Sequence, residues 1–402
     1  MQTREVVFVD YARSAFGKQG GAFKDLVMSD LAAYFLKKFV EKTGILERGK
    51  VDGFIAGSAH HDPRTLTFAK YVAQLGGLPF STSGTTVEMQ CGSGITSINH
   101  AAWKIAMGAA DVIIAGGAES CSAPPVKMST VNTPYKWIPP EIYFPQKLSP
   151  FPEEDISMIS VSDKIGKLYG VTREEVDEYA YNSQMRLQRA YREGIIGSEI
   201  IPYVFPATKK TPEIIVDKDE HPRANTTMEG LAKLRAINPD GITTAGNSSG
   251  LNDGASFVLM MSREKAEEYG YKPVARWIFG TDHGCAPSLM GLGPAYSTLD
   301  CFKATGLTMK DIDTFECNEA FAAQNLGAKR ELEKQIGHEI DMKMWNPLGG
   351  AIAIGHPNGA SGARLFMFAL RQLMSIGGRY GVISACCGGG QGTSTIIERL
   401  AD

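Results

Sequence analysis

Between residues 91 and 117 the chain runs Cys91-Gly92-Ser93-Gly94, then a helical stretch with apolar residues at 95, 98, 102, 105 and 106, then Gly108, then Val112-Ile113-Ile114-Ala115-Gly116-Gly117. Residues 359 to 385 repeat that order: Gly359-Ala360-Ser361-Gly362, apolar residues at 365, 366, 369, 370 and 373, Gly377-Gly378, and the run Gly381-Val382-Ile383-Ser384-Ala385. Apolar spacings of three and four build one buried helix face, and the short apolar run that follows reads as a buried strand. Each unit has a further echo upstream, Val51-Asp52-Gly53-Phe54-Ile55-Ala56 in one half and Ile312-Asp313-Thr314-Phe315-Glu316-Cys317 in the other. Strands alternating with helices imply right-handed crossovers and sheets covered by helices. Glycine-rich turns look alike in any α/β protein, so what favours duplication is that the matching pieces occur in the same order.

A chain of 402 residues with 43% apolar content can fill two or three domain-sized cores. Forty-one basic against 44 acidic residues leave a charge of −3, with no like-charge block to attract nucleic acid or a membrane surface. The start Met1-Gln2-Thr3-Arg4-Glu5 runs directly into the strand-like Val6-Val7-Phe8-Val9, and no apolar run approaches the roughly 20 residues of a membrane helix, so the expectation is a cytoplasmic protein. The seven cysteines are never spaced Cys-x-x-Cys, against both a zinc knuckle and a disulfide framework; no metal is expected. Residues 121 to about 251 change character: eight of the 20 prolines fall within 121 to 152, among Pro134-Tyr135-Lys136-Trp137-Ile138-Pro139-Pro140 and Tyr143-Phe144-Pro145. The capping box Thr172-x-x-Glu175 announces a long helix stopped near Gly194. The expected organisation is one core half from 1–120 with 252–274, an inserted loop domain from 121–251, and a second core half from 275–402.

Four places could carry chemistry. The strand-like Thr85–Gln90 ends at Cys91, where the following glycines let a helix begin at once, so the sulfur would face unpaired N–H groups and the positive helix end, a setting that lowers a thiol pKa. A small buried core cysteine is the bland alternative. His356, in Gly355-His356-Pro357-Asn358-Gly359, sits in a turn at the second-half equivalent of that corner, either as a general base or merely bonded to a nearby carbonyl. Cys386-Cys387-Gly388-Gly389-Gly390 ends a buried strand where main-chain amides can approach a ligand; one cysteine could be a second acid or base, or both could be packing. Asn318, directly after a strand, would cap the next helix or hold a water or an oxyanion.

Taken together these segments resemble the thiolase family: Cys91 in Gln-Cys-Gly-Ser-Gly, Asn318 in Asn-Glu-Ala-Phe-Ala, His356 in Gly-His-Pro-x-Gly-x-Ser-Gly and Cys386 in Cys-x-Gly-Gly-Gly follow the family's order, as do Gly246–Ala255 and Gly116–Ser120. The resemblance spans residues 5 to 398. It implies a five-layered αβαβα core of two similar halves with an inserted loop domain, assembled as a homodimer or homotetramer. It further implies that Cys91 carries the acyl group, that His356 activates it, and that Cys386 moves the proton at the α-carbon of acetyl-CoA. Asn318, through a water and with His356, would bind the thioester oxygen of that acetyl-CoA; the amides of Cys91 and Gly388 would hold the other oxyanion. Arg223, Leu234, Ala245, Ser249 and Met158 match positions on the coenzyme A side. Coenzyme A and acyl-CoA enter as substrates, and no permanently bound cofactor is implied.

Two departures stand out. Ser157-Met158-Ile159 replaces a frequent His-Met-Gly, and Ile237 stands near a frequent pocket Phe, with one residue fewer before Asp240-Gly241. Met290 matches a pocket position without deciding acyl length. A cysteine hydrolase would use Cys91, His356 and Asn318 but has no use for Cys386 and its glycines; an acyl-CoA carrier would not need four catalytic residue types; a dinucleotide enzyme lacks the third glycine and its acidic partner. Condensing enzymes of fatty-acid synthesis typically use two histidines where this chain has Asn318 and His356.

Overall fold

The structure is a computed structural model that describes residues 3–60, 62–129, 134–143, 147–209 and 211–400. Phe144 and Pro145 of the proline-rich run lie outside them, as do Met1 and Gln2. In chain order the strands are β1 (Val6–Arg13), β2 (Gly17–Lys18), β3 (Gly53–Gly57), β4 (Ser83–Val87), β5 (Val112–Ser120), β6 (Tyr203–Phe205), β7 (Ile214–Val216), β8 (Asn252–Ser262), β9 (Ala275–Gly284), β10 (Thr314–Cys317), β11 (Tyr380–Cys387) and β12 (Gln391–Arg399). All but β6 and β7 form one 10-stranded sheet in the order β10-β11-β12-β9-β1-β8-β5-β3-β4, with β2 beside β8.

The duplication is visible in the pairing. In one half β3 runs parallel to β5, β5 antiparallel to β8, and β8 antiparallel to β1. In the other, β10 runs parallel to β11, β11 antiparallel to β12, and β12 antiparallel to β9. The halves meet through two residue pairs of β1 and β9, Val7 with Arg276 and Phe8 with Ala275. The outer strand β4 has a reduced counterpart: outside β10 there is a single parallel bridge between Phe315 and Trp345.

Two helices, Ser93–Ala106 and Asn358–Ile376, lie between the halves and touch strands of both. The second is buried from Gly359 through Leu370, as a helix covered on every side must be. They cross at equivalent glycines: a Cβ on Gly94 would stand 2.6 Å from the Gly359 carbonyl, and one on Gly362 would collide with the backbone of Gly94 and Ile95. The helices Met28–Thr43 and Phe68–Leu75 cover the outer face of the first half; Gly293–Thr305 and Ala322–Ile336 cover that of the second. Outer helices, one half of the sheet, the central helix pair, the other half of the sheet and its outer helices are the five layers.

After Ser120 the chain leaves the sheet and returns at Asn252, where β8 pairs along the whole length of β5 from Ser120↔Asp253 to Val112↔Met261. Within that excursion the helix Arg173–Arg192 starts on the Thr172/Glu175 capping box and ends before Gly194, whose φ is 69°. One local expectation fails. The strand before Cys91 stops at Val87, not at Gln90, because the Ser93 hydroxyl accepts from the Met89 amide at 2.9 Å and donates to the Gln90 carbonyl at 2.7 Å, folding those residues into a turn.

Candidate active site

The turn at Gln90–Gly92 is tight: Gln90 has φ 47°, in the left-handed region a non-glycine residue rarely enters. Strain of this kind persists only when its surroundings impose it, and it concentrates at sites of chemistry. Against this turn packs the end of β11. Gly92 lies on the Cys387 sulfur, and a Cβ on Gly388 would meet Met158 Cε at 2.6 Å and Gln90 Cγ at 3.2 Å. Gly389 and Gly390, with φ 88° and 93°, turn the chain back into β12. The Cys91 corner and the Cys386-Cys387-Gly388 turn are therefore in direct contact, although almost 300 residues separate them.

Cys91 is 8% exposed, and the side-chain amide of Asn358 donates to its Sγ at 3.4 Å. Burial pushes the thiol up to about 12, with the Glu119 carboxylate adding to the rise, while a backbone N–H and the Asn358 amide oppose it. The sequence expectation of a thiol acidified by its corner is thus overturned, because loss of water outweighs the N–H groups there.

His356 is 5% exposed and held from both ring nitrogens. Ser361 donates its single hydroxyl proton to the Pro357 carbonyl at 3.1 Å, so it accepts from Nδ1–H at 2.6 Å. That leaves Nε2 bare, accepting from Asn318 Nδ2 at 3.2 Å. The amide of Asn318 is oriented in turn by Arg364, whose Nη2 donates to Oδ1 at 3.3 Å. Burial first, and then the charge of Arg364, push His356 down to about 3. A neutral imidazole with an unprotonated Nε2 is a proton acceptor in waiting. Asn318 does not cap the next helix, whose first turn follows Phe321 without a side-chain cap.

Cys386 is wholly buried among Val161, Ile165, Met290, Leu292 and Ala320, and its thiol is pushed well up by burial and then by the neighbouring Cys91 thiol. Gly388 stands at the same turn, with Met158 against it at the start of the helix Met158–Leu168. Arg223, Leu234 and Ala245 line a groove of about 310 Å³ with Gln184, His221 and Ile352. Ser249 and Met158 are outside that lining; the Ser249 amide donates to the Ala320 carbonyl, two residues from Asn318. The groove's wall at Ile352 lies four residues before His356.

Three participants escaped the sequence reading. Asn358 is the variable position of Gly-His-Pro-x-Gly and looks like a helix-start residue. Arg364 reads as an exposed helical cation and is instead fully buried. Glu119 reads as the end of a strand; buried, it accepts from the amides of Ala59 and Gly359 at 2.8 and 3.1 Å and from His60 Nδ1 at 3.1 Å. No group of three or more His, Cys, Asp or Glu that could hold a metal ion occurs among the described residues.

Known proteins are similar to this chain in sequence and in fold. Residues 6–264 match the family model for the thiolase N-terminal domain, and residues 271–399 match that for the thiolase C-terminal domain. A beta-ketoadipyl-CoA thiolase of Acinetobacter baylyi is 38% identical over 414 residues, covering 99% of this chain and 100% of the relative. An acetyl-CoA acetyltransferase of Syntrophomonas wolfei is 36% identical over 403 residues at the same coverage. The crystal structure of human mitochondrial 3-ketoacyl-CoA thiolase superposes with a TM-score of 0.90 at 34% identity over 100% of both chains.

Proposed function

The chain belongs to the thiolase family of acyltransferases, and from that premise we propose that it catalyses the reversible thiolytic cleavage of a 3-oxoacyl-CoA by coenzyme A through an S-acyl Cys91 intermediate. The observation that carries this reading is the packing of the Gln90–Gly92 turn on the Cys386–Gly388 turn, beside a neutral His356 whose Nε2 carries no proton.

In the cleavage direction His356 Nε2 takes the Cys91 proton as the sulfur attacks the 3-oxo carbon. The resulting oxyanion accepts from the amides of Cys91 and Gly388. As it collapses, the bond to the α-carbon breaks, and the electron pair moves toward the thioester oxygen of the departing acetyl-CoA, where the imidazolium Nε2–H and a water on Asn318 donate. Preorganised donors of this kind are worth roughly 3–4 kcal/mol each. Cys386 then gives its proton to the α-carbon. Coenzyme A gives its proton to the Cys386 thiolate, attacks the acyl-cysteine and expels the Cys91 sulfur, which takes back the proton held on His356. The acyl-enzyme is itself a thioester, so its exchange with coenzyme A is close to isoenergetic and the enzyme runs in both directions. A papain-like hydrolase needs a resting thiolate–imidazolium pair; a thiol near 12 beside an imidazole near 3 holds its proton on sulfur until substrate arrives.

The groove lined by Arg223, Leu234 and Ala245 is the proposed seat of coenzyme A, with Ser249 and Met158 nearer the chemistry. The proposed domain division is a first core half from 1–120 and 252–274, an inserted loop domain from 121–251, and a second half from 275–402. The proposed assembly is a homodimer or homotetramer, since β4 leaves an open sheet edge flanked by exposed Leu66 and Phe80.

Mass spectrometry after incubation with acyl-CoA tests the roles. Cys91→Ala is expected to gain no acyl mass. Cys386→Ala is expected to gain it and yet fail to condense with acetyl-CoA. Catalytic acylation of the Cys91→Ala protein sinks the assignment.

A further inference from the structure

We propose that Asn358 is a catalytic residue whose side-chain amide stabilises the Cys91 thiolate, both as it forms for attack and as it departs in the second half-reaction; the inference rests on the acyl-transfer reading above. Its Nδ2 donates to Sγ at 3.4 Å, hydrogen-bond range for a sulfur acceptor. The contact spans the two halves of the molecule and is made by the residue two positions beyond His356, so the imidazole and the amide reach the site on one rigid turn.

The surroundings explain why the sulfur needs it. From β5 the Glu119 carboxylate opposes a negative charge on Cys91. From the end of β11, Cys386 and Cys387 are buried thiols that bring no cation. His356 is neutral, with Nε2 engaged by Asn318. Arg364, the buried cation of the site, is directed at Asn318 and Glu316. While His356 is neutral, the N–H donor of Asn358 is therefore the side-chain aid that this site offers a thiolate, and the imidazolium joins it once His356 has taken the proton. Asn358 is also not occupied as a cap. It is the first residue of its helix, the flanking Pro357 provides no side-chain cap, and the Gly359 amide is satisfied by Glu119. The amide is free for the sulfur and is only partly buried.

In chemical terms, the N–H···S bond shortens when the Cys91 proton moves to His356 Nε2 and negative charge appears on sulfur. In deacylation the carbon–sulfur bond breaks, the electron pair stays on Cys91, the amide again donates to it, and His356 returns the proton.

The test is the rate of iodoacetamide alkylation of Cys91 at a fixed pH near neutrality, read at its own peptide by mass spectrometry, in the full-length protein and in Asn358→Leu and Asn358→Asp. Loss of the donor is expected to slow alkylation about three- to tenfold by lowering the thiolate fraction. Asn358→Asp should slow it further, because a carboxylate replaces the donor. An acidic residue in the first turn favours the helix, so a slower Asp variant with an unchanged melting temperature reports on the sulfur and not on folding; should the Leu variant not fold, the Asp variant decides. Alkylation rates within about 1.5-fold of the parent in the folded variants overturn the proposal. Parallel incubation with acetyl-CoA separates the two levels: a parent protein that takes up no acetyl group sinks the thiolase reading, whereas a parent that acylates normally beside variants with unshifted alkylation sinks the role of Asn358 alone.

Discussion

Arg364 shows how much a single buried cation can organise. Its side chain and that of Glu316 are both wholly buried, 3.8 Å apart, and several of their polar atoms lack hydrogen-bond partners. Burial lowers the guanidinium to about 10 and raises the carboxyl to about 8. Such a pair is a poor source of stability, since desolvation consumes much of the attraction. Its value is positional: the arginine fixes which end of the Asn318 amide faces His356, and its charge helps keep the imidazole neutral. Arg364→Met is expected to lower kcat/KM on the order of ten- to a hundredfold by loosening that amide. With a facing positive charge gone, the His356 pKa rises, so the acid limb of the pH profile moves to higher pH. A profile that falls in height without moving would mean that Arg364 acts only through packing.

At the scale of elements, Glu119 links three pieces: the end of β5, the loop after β3 through Ala59 and His60, and the first turn of the long central helix through Gly359. The hydrogen bond to Glu119 raises the His60 pKa. A group whose folded value is raised contributes stability that is fully present below its ordinary value near 6.5 and is lost as pH climbs through the folded value. His60→Gln should therefore lower the melting temperature at pH 6 while leaving it nearly unchanged at pH 9. An equal loss at both pH values would show that the imidazole is not charged in the fold. These elements also mark how far the sequence could be read. The duplicated helix, glycine and strand were legible because each is a local pattern, and Gly94 and Gly362 were visible as equivalents before their crossing was known. The link of β1 to β9, the reduction of one outer strand to the Phe315–Trp345 bridge, and the turn of Glu88–Gln90 were not, because they depend on partners far along the chain. Cys91, Asn318, His356 and Cys386 stood out as residue types at strand and helix ends. Asn358 and Arg364 did not, since only packing turns a helix-start amide toward sulfur and a helical arginine inward.

For the whole molecule, the two ends of the sheet differ, and the difference carries a prediction about assembly. Beyond β10 the segment around Trp345 covers the edge, with Trp345 stacked on Phe315 at 4.2 Å. At the other end β4 is the last strand, and three of its five residues, Ser83, Thr85 and Thr86, are exposed. An open edge with unpaired backbone groups is normally shortened, charged or covered. Here it carries no charged residue and lies beside exposed Leu66, Leu75 and Phe80. A second copy applied by a twofold axis would cover both features at once, β4 against β4, in the self-complementary manner of a symmetric dimer. Thr85 is the middle residue of the strand, so in an antiparallel pairing centred on it each Thr85 faces its own counterpart. Thr85→Lys would then set two ammonium groups opposite each other, a juxtaposition that costs several kcal/mol at an interface. Sedimentation velocity over a dilution series is expected to show a parent dimer or tetramer and a variant shifted toward monomer, with partial recovery in high salt as the repulsion is screened. A variant that keeps the parent's assembly at every dilution places the interface elsewhere, and the exposed apolar residues near β4 would then need another partner.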